Sequence, residues 1–273
     1  MSWMDQVLAQ ARAANAGAEG DFAPAALEPQ GGPSSSLDAG SLAALAPASE
    51  RRPAPVAVLD SGVSNLASIL AALARAGVAA QPVRSPAALR DAQRLVLPGV
   101  GSFAAAMAAL QALGLVEVLR ERLLAGRATL AICLGLQLLA EQSAESPGVA
   151  GLGVWPLSVE RFPVGVAVPQ LGWNPIRAEA GCRFLESGYA CFANSYRLDA
   201  VPAGWRAAFA DHGGPFVAAL ERGDVLACQF HPELSGAFGA RLIARWLAAT
   251  EPDRSGASPG RLVDAAPRRE PRS

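Results

Sequence analysis

Hydrophobic residues in this chain fall into short dense runs separated by turn residues. PVAVLD (55–60), VAAQPV (78–83), RLVLPG (94–99) and TLAIC (129–133) are apolar without helical spacing, the pattern of strands buried on both faces. Between the first two, Leu66, Ile69, Leu70 and Leu73 recur at three- and four-residue steps, which predicts a helix over 64–76 ended by Gly77. The apolar stretch from Phe103 to Leu124 predicts a long helical region, and LGLQLLAEQ beyond Cys133 predicts another helix. Strand alternating with helix predicts an α/β fold of three layers, a mostly parallel central sheet flanked by helices.

The second half is richer in strands. VWPLSVE, YACFANSY and WRAAFA are candidates, and FVAAL and VLACQF flank ERGD as a hairpin. A last helix is predicted over 237–249, with Leu242, Ile243, Trp246 and Leu247 on its apolar face. Both ends differ from this middle. Residues 1–53 and 251–273 are rich in Ala, Gly, Pro and Ser, with little to bury, and are expected to be a flexible extension and a flexible tail. The domain is expected to span 54–250.

Composition removes several function classes. With 51% hydrophobic residues the chain can build a sizeable core, and a formal net charge of −1 creates no field for nucleic acid or an anionic membrane. All basic side chains are arginine. No stretch is predicted to span a membrane, and the N-terminus lacks the pattern of a secretory signal. The four cysteines, Cys133, Cys182, Cys191 and Cys228, form no close ligand pair, and there are two histidines, so neither a metal nor another cofactor is expected and a reducing cytoplasm is the default setting.

Candidate chemistry lies in three segments. AICLGLQ (131–137) delivers Cys133 from an apolar strand into a glycine-containing turn. A cysteine at such a turn is lifted clear of the sheet, and backbone N–H groups there can hold an oxyanion. The same segment also fits a buried cysteine closing a core strand. QFHPEL (229–234) offers His231 and, two residues on, Glu233; at a strand period of two the side chains point the same way, and the carboxylate can orient the imidazole. A surface turn after an edge strand fits it too. LPGVGSF (97–103) allows close backbone approach at the carboxyl edge of a sheet, as an oxyanion site or as an ordinary turn, and lacks the Lys-Ser/Thr of a phosphate loop.

In their order, LPGVGSF, AICLGLQLL, LGWN (171–174), NSY (194–196) and QFHPELSG (229–236) resemble the class I, triad-type glutamine amidotransferases over roughly Val56 to Ala249. PGVGSF and LGWN make the resemblance narrower, to the glutaminase subunits of imidazole glycerol phosphate synthase. That resemblance implies a flavodoxin-like fold, with Cys133 as nucleophile, His231 as base and acid, and Glu233 as its orienter. Gly99, Val100 and Gly101, with Leu134 and Gly135, would shape the oxyanion hole. Gln137, Ser195 and Tyr196 would lie near the glutamine. Asn65, Trp173, Asn174, Asn194 and Leu234 would face or couple to a (β/α)₈-barrel cyclase in a heterodimer, to which ammonia passes for histidine biosynthesis. An amidotransferase of another pathway, a free-standing amidase and a non-catalytic interaction subunit are the competing readings.

The chain departs from the family pattern at four places. Ser61 and Ser64 replace a tyrosine and a glycine of the first loop, where Asn65 is retained. Asn194 replaces a histidine, and Leu234 replaces a lysine expected to meet a cyclase carboxylate. Several of these changes fall near the implied interface, so the expectation is retained thiol chemistry with altered partner coupling.

Overall fold

The computed structural model describes residues 55–62 and 66–251. The expected flexible ends, as well as Ser64 and Asn65, lie outside the described residues. Twelve strands occur among those described: β1 (Val56–Leu59), β2 (Ala80–Val83), β3 (Leu95–Gly99), β4 (Thr129–Cys133), β5 (Ala140–Ser143), β6 (Trp155–Arg161), β7 (Gln170–Ala178), β8 (Gly188–Asn194), β9 (Tyr196–Arg197), β10 (Arg206–Asp211), β11 (Pro215–Arg222) and β12 (Val225–Cys228). Nine form one sheet in the order β2-β1-β3-β4-β12-β11-β10-β7-β8, and β5-β6-β9 form a second. From β2 to β12 the pairing is parallel, and from β12 to β8 antiparallel. The parallel part has the strand order of flavodoxin-like folds, its fifth place filled from far along the chain by β12.

Alternation along the central strands explains the layers. In β3, Leu95 and Leu97 enter one apolar cluster and Val96 the other; in β4, Ala131 enters the first and Leu130 and Ile132 the second. The first cluster is covered by Phe103, Met107, Leu110, Leu119 and Leu123. The second is covered by Ile69 and Leu73 and by Leu242, Ile243, Trp246 and Leu247 of the final helix, Gly236–Ala249. Burial on both faces is why these strands read as unbroken apolar runs.

Some local expectations are corrected. The region 103–124 is two helices, Phe103–Ala112 and Val116–Leu124, set 102° apart. Gly114, at φ 65°, makes the break. No single helix among the described residues is long and apolar enough to cross a membrane. LGLQLLAEQ is a single helical turn, Leu134–Gln137, followed by strand β5. The helix Pro86–Asp91 and the nine-residue strand β7 through LGWN had no clear periodic signal.

Arg122 locks one end of the sheet to its helical layer. It is 1% exposed, and its guanidinium donates to Thr129 Oγ1 and to the carbonyls of Leu89, Ala92, Gln93 and Ala128 at 2.7–3.3 Å. Burial, assisted by the charge of Arg127, brings its pKa down to about 10, so it stays cationic at neutral pH. Arg122→Met removes the guanidinium donor from Thr129 Oγ1 and the Leu89 and Gln93 carbonyls, while Ala92 and Ala128 keep Arg127 and the Leu95 N–H. We predict a loss of about 3 kcal/mol or more in urea denaturation; a loss under about 1 kcal/mol would show that water replaces the guanidinium.

Candidate active site

Three neighbouring parallel strands bring the candidate chemistry together. Gly99 ends β3 in register with Cys133, which ends β4; on the other side β12 pairs Cys228 with Ile132, and the chain reaches His231 three residues later. The site therefore sits at the carboxyl edge of the sheet, where the loops of an α/β fold are free to diverge.

Cys133 has φ 55° and ψ −111°, and is the one non-glycine residue with positive φ among those described. A side chain in this conformation is strained, and such strain persists only where the surroundings over-determine it. Here the determinant is close packing beneath the turn. A Cβ on Gly135 would lie 2.2 Å from the Leu97 carbonyl oxygen, and one on Gly99 would lie 2.7 Å from the Gly135 nitrogen. Both positions must be glycine for β3 and the turn to touch. Gly99 and Gly135 thus support the turn from beneath, while their neighbours Val100, Gly101 and Leu134 line the cavity.

The wall encloses about 420 Å³, a small-molecule volume. Val100, Gly101, Cys133, Leu134, Gln137, Ser195 and Tyr196, which the sequence places at the site, line it, and so does Asn194, which the sequence reading assigns to the partner surface. Glu145, twelve residues past Cys133 and unmarked by any motif, lines it too. Its Oε2 accepts the Phe103 N–H at 2.7 Å, which fixes a carboxylate at the N-terminus of the helix Phe103–Ala112.

His231 and Glu233 lie behind Cys133, with side chains 4% and 3% exposed. They do not extend a strand, as the period-two argument assumed. β12 has ended, and His231 precedes a 3₁₀ turn, Pro232–Leu234. The turn nonetheless closes the pair: His231 Nδ1–H donates to Glu233 Oε1 at 2.8 Å. Ser235 clamps the turn, its hydroxyl donating to the His231 carbonyl at 2.6 Å and accepting the Cys191 N–H at 2.9 Å. The His231 N–H donates to the Cys191 carbonyl at 2.9 Å.

With Nδ1 committed to the carboxylate, Nε2 is the nitrogen left to exchange a proton. Nε2 meets no partner at full hydrogen-bond geometry, yet Cys133 is close enough to act on the ring as a negative neighbour and hydrogen-bond partner. Catalytic hydrogen bonds are commonly loose before substrate binds. Burial alone would pull the imidazole pKa down; Cys133 and Glu233 outweigh it and hold His231 well above its ordinary range. The other cysteines lack this company. Burial pushes the thiols of Cys191 and Cys228 up, and that of Cys182 to about 11, which suits inert core residues.

The residues assigned to a partner surface divide. Trp173 is 44% exposed, beside Leu171 on β7. Asn174 is tied back by Nδ2 to the Asp211 carbonyl at 2.7 Å. Asn194 is buried in the cavity wall, its Nδ2 donating to the Tyr196 carbonyl at 3.0 Å. Leu234 is 8% exposed and packs with Cys191, so its side chain does not project from the surface. Among the described residues no group of His, Cys, Asp and Glu could hold a metal ion.

The family model for glutamine amidotransferase class-I matches residues 57–249. The imidazole glycerol phosphate synthase subunit HisH of Desulfitobacterium hafniense is 39% identical over 199 residues, covering 70% of this chain and 94% of that protein. HisH of Streptococcus gordonii is 39% identical over 194 residues, covering 69% and 93%. The chloroplastic imidazole glycerol phosphate synthase hisHF of Arabidopsis thaliana is 39% identical over 201 residues, 70% of this chain and 34% of that longer protein. A crystal structure of a glutamine amidotransferase superposes with a TM-score of 0.59 at 26% identity, covering 71% of this chain and 98% of the other.

Proposed function

The chain belongs to the class I glutamine amidotransferases and, within them, to the HisH subunits of imidazole glycerol phosphate synthase, and we propose that Cys133, His231 and Glu233 are its working triad. It hydrolyses glutamine to glutamate and passes the ammonia to a cyclase partner for histidine biosynthesis. The observation that carries this reading is the strained Cys133 on the cavity wall, with a buried His231–Glu233 pair behind it at 2.8 Å.

His231 Nε2 takes the Cys133 proton, and the thiolate attacks the side-chain amide carbon of glutamine. Backbone N–H groups about Val100 and Leu134 receive the negative charge that develops on the amide oxygen. The imidazolium then protonates the departing nitrogen, releasing ammonia and leaving a glutamyl thioester. His231 removes a proton from water as it attacks, and glutamate leaves with Cys133 regenerated. Glu233 holds the ring in the needed tautomer and stabilises its charged form. At the substrate head, Glu145 offers Oε1 to an ammonium group, while Gln137, Ser195 and Tyr196 complete the wall.

The partner is a (β/α)₈-barrel cyclase in a heterodimer; the fused length of the Arabidopsis relative supports a partner in permanent proximity. Trp173 and Leu171 present the exposed apolar surface. Leu234, in place of a lysine, removes one interfacial ion pair, so coupling differs from that of other members. The four cysteines are free, in keeping with the reducing cytoplasm.

The test is glutamate release from glutamine by the chain alone and with a cyclase subunit from the same source carrying a substrate analogue. We expect a low basal rate that rises on the order of 10²-fold or more in the complex, the scale on which completing an oxyanion hole acts. A high rate without partner would instead identify a free-standing amidase. No release in either state, with binding established, would refute the glutaminase reading.

A further inference from the structure

Gln229 directly follows β12, is 0% exposed, and has no part in the chemistry above. A fully buried primary amide must find partners for both its oxygen and its nitrogen. The order of its neighbours decides which end faces which. The Tyr196 carbonyl can only accept, and it receives Gln137 Nε2–H at 3.2 Å. The same Gln137 nitrogen, again as donor, lies 3.0 Å from Gln229, so Gln229 must turn its Oε1 there. Its Nε2 is thereby left facing the Cys133 sulfur, 3.8 Å away. Flipping the amide would set two N–H donors against each other at Gln137.

We propose that Gln229 is a positioning residue for the nucleophile, its carboxamide donating an N–H to the Cys133 sulfur and tying that sulfur through Gln137 to the glutamine pocket. The proposal deepens the glutaminase reading and rests on it only in taking Cys133 as the nucleophile. Cys133 then has a donor on each side. His231 exchanges the proton, whereas the neutral amide of Gln229 cannot, so it stabilises the sulfur as an anion and fixes its direction of attack. In a water-excluded site such a bond counts for more than in solution. Gln137 is shared with the substrate wall, so the register of the amide chain links the seat of the glutamine to the aim of the sulfur.

Two variants test this in the full chain. Gln229→Met keeps the length of the side chain without a donor. Gln229→Glu keeps its shape and an acceptor for Gln137 but sets a carboxyl against the sulfur. Iodoacetamide labelling of Cys133, followed by mass spectrometry without glutamine, is expected to slow about 10-fold in both at neutral pH, with its pH profile displaced to the alkaline side. With the cyclase partner present, kcat is expected to fall about 10- to 100-fold, the range for a hydrogen bond to a charged group, while KM moves by less than about threefold.

Thermal melts identify which variants are folded; if Gln229→Met is not, Gln229→Glu carries the test. A folded variant that labels at the unsubstituted rate, or that loses activity through KM alone, would overturn the proposal. Labelling needs no turnover. Slowed labelling in a chain that never releases glutamate would therefore support Gln229 in this role while refuting the glutaminase reading.

Discussion

Cys133→Ala is expected to lower glutamate release in the partner complex by at least about 10⁴-fold, the scale of loss when a covalent nucleophile is removed. The fold should be unaffected, because the sulfur is not what holds the turn. The determinants of the φ of 55° at this position are the contacts of Gly99 and Gly135 beneath it, and these remain. Alanine keeps the same Cβ strain, so the midpoint of urea denaturation should shift by less than about 1 kcal/mol in equivalent stability. Cys133→Gly removes the strain as well as the thiol and should be slightly more stable, by roughly 1 kcal/mol. Stability unchanged or improved with turnover lost is the signature of strain held for chemistry. If Cys133→Ala retains more than about one hundredth of the activity, the nucleophile is elsewhere and the mechanism fails. The buried, high-pKa thiols of Cys191 and Cys228 are poor replacements.

The second large effect is expected at Gly135. Its added Cβ would stand 2.2 Å from Leu97 O and 3.2 Å from Leu97 C. Those are backbone atoms of a central strand, which cannot swing aside as a flexible side chain can. Gly135→Ala must therefore separate β3 from the turn after β4. We expect a destabilisation of about 2–4 kcal/mol in urea denaturation, together with a fall of about 10²-fold or more in kcat/KM from misplacing the nucleophile relative to its oxyanion donors. Gly101→Ala is the informative contrast. Its φ is 92°, but nothing lies within 4 Å of its Cβ position, so it carries conformational strain alone, about 1–2 kcal/mol. A loss at Gly135 no larger than that at Gly101 would mean that the Leu97 contact relaxes and does not hold the turn.

Where the chain alternates between short apolar runs and helical spacing, the fold was legible. β1, β3 and β4 are buried on both faces, and their residues carry that signal without a partner in view. The errors fell where one pattern serves two structures. The leucines of LGLQLLAEQ suit a helix, but the backbone carbonyls of Leu138, Leu139 and Ala140 bond to residues 152–155, and Ala140 pairs with Trp155 in β6. Apolar residues on both sides of Gly114 suit one helix, yet the break places both halves against the same cluster. His231 and Glu233 were correctly paired, though by the wrong geometry: two residues apart is a short distance along the chain in a 3₁₀ turn as well as in a strand. Glu145, Gln229 and Ser235 carry no such local signal, because their place in the site is entirely relational, set by which donor or acceptor lies opposite.

By itself the amino-acid order determined which residues could react. The Cys133 turn, the His-Pro-Glu segment and the glycines after β3 are local features, since turn geometry and side-chain chemistry are properties of a few adjacent residues. Only the tertiary structure decided that they meet. Insertion of β12 beside β4 joins segments nearly a hundred residues apart, and hydrogen-bond pairing in register, not anything written near Cys133 or His231, sets their separation. The same register buries Gln229 between Gln137 and the sulfur, because a buried polar group takes its orientation from the partners that packing supplies.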